Sequence, residues 1–97
     1  MRKHNASRYS EVLASNQLYT PDGKSGFLIQ IYAITDSQGR GFLLVKSKFT
    51  SRNVHVVNDN RFSAYGDAKR AQVEEYHKMV GQGLKERRPI DALVRTG

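Results

Sequence analysis

Cysteine is missing altogether from this 97-residue chain. That excludes a disulfide framework, thiolate metal ligands and cysteine nucleophiles, and it fits a reducing compartment. No apolar run approaches the ~20 residues that a membrane-spanning helix needs. The opening MRKHNASRYS carries charge with no apolar segment behind it, so no secretory leader is expected and the sequon at residues 5–7 has no glycosylation meaning. The expectation is a soluble, cytoplasmic protein without a membrane partner.

Acidic residues are also scarce. Nine of them face sixteen lysines and arginines, for a formal charge of +7. Such an excess favours anionic partners, nucleic acid foremost. The excess is unevenly spread: residues 1–25 carry net +2, residues 26–66 net +3, residues 67–80 net zero and residues 81–97 net +2. It lies on the central segment and the two ends.

Catalytic motifs are absent as well. DGKSG at residues 22–26 resembles the end of a phosphate-binding loop, but that motif requires glycine at position 18, where Leu18 stands. GQG at residues 81–83 lacks the preceding strand of a dinucleotide fingerprint and reads as a helix stop. His4, His55 and His77 have no metal-ligand spacing. Glu74 and Glu75 are adjacent, so on a helix they diverge by about 100° and do not form an acid–base pair. No catalytic residue, metal or cofactor is assigned, and a non-catalytic protein is expected.

What is present suits a small α+β domain. At 97 residues the chain supports one core, burying roughly 60–65% of the unfolded surface. TPDGK at residues 20–24 is a turn, with Pro21 presetting φ and Gly23 closing it. Before it, residues 9–19 read either as the start of a short helix through Tyr9, Val12 and Leu13 or as a strand; a short helix or coil followed by a strand is taken. Residues 26–35, 41–50 and 54–57 are rich in β-branched and aromatic side chains and predict three further strands. The helix is expected at residues 66–83, with Asp67 near its start, Gly81 or Gly83 at its end, and an apolar arc of Ala68, Val73, Tyr76, Met79 and Val80. The whole is a meander sheet of three or four antiparallel strands packed on one main C-terminal helix. Residues 12–80 form the folded part, residues 1–8 a basic N-terminal arm and residues 84–97 a basic C-terminal tail.

A register follows if DSQGR is a three-residue connection in which Asp36 pairs with Arg40. Phe27, Ile29, Ile31 and Ala33 then share the helix face with Leu43, Val45, Ser47 and Phe49, and pairing of Phe49 with Val54 adds Val54 and Val56. The opposite, outward face collects Gln30, Tyr32, Phe42, Leu44, Lys46, Lys48 and His55, with Arg52 at the tip and Arg61 nearby. Cations grip phosphates and aromatics stack on exposed bases, so Gln30, Tyr32, Phe42, Lys46, Lys48, Arg52, His55 and Arg61 are the candidate nucleic-acid-binding residues. Arg2, Lys3, Lys85, Arg87 and Arg88 are candidate electrostatic arms.

The strand–strand–strand–helix order over residues 26–80, ending in DAKRAQVEEY, resembles a double-stranded RNA-binding domain or a three-stranded DNA-binding domain with a packing helix. The basic cluster that the RNA-binding family carries at the start of its last helix is represented here only by Lys69 and Arg70, so no residue roles are carried over. The functional expectation is a small basic protein that binds DNA or RNA. The alternative is a small interaction protein of the phage or mobile-element type that docks on a larger nucleic-acid-processing complex and inhibits or modulates it.

Overall fold

The computed structural model describes residues 9–86. Four long strands, β1 (Tyr9–Tyr19), β2 (Ser25–Asp36), β3 (Gly39–Thr50) and β4 (Val54–Phe62), are followed by one helix, α1 (Tyr65–Gly81), and a two-residue strand, β5 (Lys85–Glu86). The strands form one antiparallel five-stranded sheet in the order β4-β3-β2-β1-β5. Two features go beyond the sequence reading. Residues 9–19 are strand throughout, and β5 returns after the helix to pair with β1. Ordered elements therefore begin before residue 12 and run past residue 80, and Lys85 belongs to the sheet rather than to a tail.

Burial along β2 falls on both faces, with Ile29 and Ile31 on the helix side and Gly26 and Ile34 on the other. Ile29 and Ile31 are fully buried and face α1, where they join Leu18, Leu44, Ala68, Met79 and Leu84 in the core. Ala14, Phe27, Phe42, Phe62, Ala71 and Tyr76 close its margins. The helix arc is rotated from the expected one. Its buried residues are Ala68, Gln72 and Met79, whereas Val73 and Val80 stand exposed.

Gln72 enters this core because β1 offers it a partner. Its amide donates to Asn16 Oδ1, Asn16 Nδ2 donates to Glu86 Oε2 at 2.8 Å, and Tyr76 donates to Glu86 Oε1 at 3.0 Å. This polar chain links α1, β1 and β5.

The helix stop works as its glycines suggest. Gly83 has φ +98°, its N–H donates to Val80 and the N–H of Leu84 donates to Met79. That is a Schellman closure, with Leu84 and Met79 as its hydrophobic contact.

The β2–β3 register differs from the expected one by a single residue. The connection is two residues long, Ser37 and Gln38, and Asp36 pairs with Gly39 instead of Arg40. Asp36 Oδ1 accepts the Gln38 N–H at 2.9 Å, and Gly39 takes φ +97°. Strand side chains alternate with period two, so one residue fewer in the loop exchanges the two faces of β3. Phe42, Leu44, Lys46 and Lys48 therefore lie on the helix side, opposite Ala33, Ile31, Ile29 and Phe27. Leu43, Val45, Ser47 and Phe49 lie on the side away from the helix, here the open side, where Val45 and Ser47 are nonetheless buried. Phe49 does pair with Val54, and the face they share is the open one. Further along β4, Ser47 pairs with Val56 and Lys46 with Asn58, leaving Val57 as the extra residue of a bulge on this edge strand.

Candidate nucleic-acid interface

The eight candidate binding residues, expected on or beside one outward face, are divided by this register. Gln30 and Tyr32 stand on the open face, half-buried, and the Tyr32 hydroxyl donates to Gln30 Oε1 at 2.8 Å. Phe42 is on the helix side, packed against the core and edge-on to Tyr65 with ring centroids 5.7 Å apart. Lys46 reaches Glu75 of the helix at 2.8 Å and lies 5.1 Å from the centre of the Phe27 ring, so its charge is already answered. Arg61 is likewise engaged. Its Nε and Nη2 bind the two carboxylate oxygens of Asp36 at 2.9 and 3.0 Å, and the guanidinium folds over Gly41. That makes Arg61 a clamp on the β2–β3 hairpin. Arg2, Lys3, Arg87 and Arg88 lie outside the described residues.

Lys48, Arg52 and His55 have a different setting. Lys48 and His55 are cross-strand partners near the end of the β3–β4 hairpin, and Arg52 is in its turn; all three are exposed. The pairing of Ser25 with Thr50 brings the β1–β2 turn, with exposed Lys24, to the same end of the sheet. The pairing of Tyr19 with Lys85 brings in β5. Lys24, Lys48, Arg52 and Lys85 thus gather where the two turns meet, and none makes an ion pair with a described residue. Asp22 is the one acid in these turns. Hydrogen bonds from the Thr20 hydroxyl and the Lys24 N–H hold its carboxyl below the usual carboxylate range.

A groove of about 570 Å³ opens at this end, on the open face, lined by Gln17, Tyr19, Lys24, Phe49, Thr50 and Ser51, with Gly23 beside them. Tyr19 and Phe49 meet edge to face at 5.2 Å between centroids. They sit on strands two apart, and they touch because the residue between them is Gly26, paired with Tyr19 on one side and Phe49 on the other. A β-carbon at Gly26 would lie 2.0 Å from the Leu18 carbonyl oxygen and 2.6 Å from Phe49 Cζ. One row therefore crosses all five strands as Lys85, Tyr19, Gly26, Phe49 and Val54.

Sequence reasoning missed Tyr19, Lys24 and Phe49. Lys24 reads as a turn residue and Phe49 as core under the longer loop. Tyr19 acquires meaning only through its distance from Phe49, which no local pattern carries.

Among the described residues no cluster of three or more histidines and carboxylates could hold a metal ion, and no helix is long and apolar enough to cross a membrane. No protein-family model matches this chain, and no curated protein and no solved structure shows significant similarity to it.

Proposed function

We propose that this protein binds nucleic acid, without catalysing a reaction, through the basic turn end of its sheet. The observation that carries this reading is the placement of Lys24, Lys48, Arg52 and Lys85, all exposed and without a described ion-pair partner, at one end of the sheet, where Lys24 lines a groove with two aromatic walls and Lys48 stands on the helix side. Unpaired cations near one another attract a phosphate chain, because each phosphate neutralised releases condensed counterions. His55, paired with Lys48, adds a donor on the helix side of this end. Lys46, Arg61 and Phe42, which the linear sequence offers equally, serve the fold instead.

Titration of a fluorescent oligonucleotide by anisotropy tests this. The pair Lys48→Glu and Arg52→Glu should abolish binding to single strands and duplexes alike without unfolding the chain. Unchanged binding by that double variant would refute the site.

A second reading has its own observation. The open face also presents apolar side chains, Val12, Leu28, Leu43, Val54 and Val56, with Val54 64% and Val56 57% exposed. Such a face suits docking on a protein, as an inhibitor or accessory of a nucleic-acid-processing complex. Affinity anchored there would be insensitive to salt and to the Lys48/Arg52 reversal.

A further inference from the structure

We infer that the Tyr19–Phe49 groove accepts an unpaired nucleobase, so that the ligand of the basic end is single-stranded nucleic acid; this rests on the nucleic-acid reading above. In a duplex the flat faces of the bases are stacked on one another, and only phosphates and groove edges reach a protein. In a single strand those faces are available, and aromatic side chains beside a basic track are their usual counterpart. The two rings here lie on the side of the sheet opposite α1 and take no part in the core cluster, yet they are held in place. Phe49 packs over Gly26, and Tyr19 accepts a hydrogen bond from Gln17 Nε2 at 3.2 Å.

The edge-to-face angle of 75° leaves the rings as two walls of a corner rather than a closed stack. The groove volume of about 570 Å³ falls within the ~300–1,000 Å³ range of small-ligand sites, enough for a base and its sugar. Polar groups of both kinds line it. The Gln17 amide and the hydroxyls of Thr50 and Ser51 can address the edge of a base, and the Lys24 ammonium can hold the adjoining phosphate. Arg52 in the next turn and Lys85 beside Tyr19 continue the cationic track on either side of the rings. A rigid duplex offers no base to the corner and would engage the cations alone.

The test compares a short oligo-dT with a duplex of the same length, using the full chain and the variant Phe49→Leu, with folding checked by circular dichroism. Loss of a stacking partner should weaken the single strand about 5- to 150-fold and leave the duplex within about twofold. Equal weakening of both ligands, or of neither, would overturn the groove assignment while leaving the basic end intact. Loss of both ligands in the Lys48→Glu/Arg52→Glu variant identifies that end independently of Phe49, so the two ideas fail separately. Photo-cross-linking of the unaltered protein to a 5-bromouracil oligonucleotide covers the case in which Phe49→Leu does not fold. Adducts on Tyr19 or Phe49 are expected, and adducts confined to the helix or to β4 would overturn the proposal.

Discussion

Tyr19 and Phe49 touch across a strand that lies between them, with ring centroids 5.2 Å apart, because that strand carries Gly26 at the point of contact. Any side chain at this position would separate the rings. A glycine in a strand interior normally weakens the strand, and an aromatic ring laid over it restores cover. Here two rings share that role and thereby form the corner of a groove.

Gly26→Ala should therefore damage both stability and the groove. The added carbon meets backbone at 2.0 Å and a ring atom at 2.6 Å, so β1 or Phe49 must shift. Overpacking of this kind costs about 1–3 kcal/mol, or roughly 4–20 °C in Tm for a domain of this size. Thermal unfolding followed by circular dichroism measures it; a Tm within a degree of the parent would show that the row is not packed as described.

Lys46 and Lys48 are two residues apart on the same side of β3, and their variants should diverge. Lys46→Glu sets a carboxylate against Glu75 in a half-buried site and removes a 2.8 Å ion pair. A loss of about 1–2 kcal/mol is expected, discounted for its partial exposure. Lys48→Glu should leave the Tm within about 2 °C, since a substitution on an exposed surface away from any partner usually changes stability little. Reversed outcomes in parallel melts would mean that the two strands are paired in the other register.

The Asp36–Arg61 clamp predicts a separation of stability from binding. Arg61→Gln removes a bidentate charge-assisted pair and should cost about 1.5–3 kcal/mol. The clamp sits at the β2–β3 turn, the opposite end of the sheet from Lys48 and Arg52. Affinity of the folded variant for oligo-dT should therefore stay within about twofold. A loss tenfold or greater, measured well below its Tm, would return Arg61 to the interface.

Salt dependence counts the contacts. Each phosphate contact on a single strand contributes about −0.7 to the slope of log K against log salt. Replacing Lys48 and Arg52 by glutamine should flatten the parent slope by about 1.4. No change in slope, with affinity retained, is the outcome that the protein-docking reading requires.

The amino-acid sequence by itself determined the α+β class, the turn at residues 20–24, strands β2 and β3 and the helix with its glycine stop. Each of these is a local matter of β-branched runs, φ > 0 positions and 3.6-residue periodicity, and each is satisfied within a few neighbouring residues. It also concentrated positive charge outside the helix. Which cations have no ion-pair partner among the described residues was decided only by tertiary structure. The difference between Asp36–Arg40 and Asp36–Gly39 pairing is one loop residue, yet it sends Lys46 beneath the helix to Glu75 and Phe42 against Tyr65. Phe49 goes to the open face, where Tyr19 waits across Gly26. Either loop length is compatible with the local sequence. The shorter loop sets Leu44 against Ile31 with the helix residues Ala68 and Met79 in one core, and that arrangement is a sum over residues far apart in the chain, which no local pattern carries.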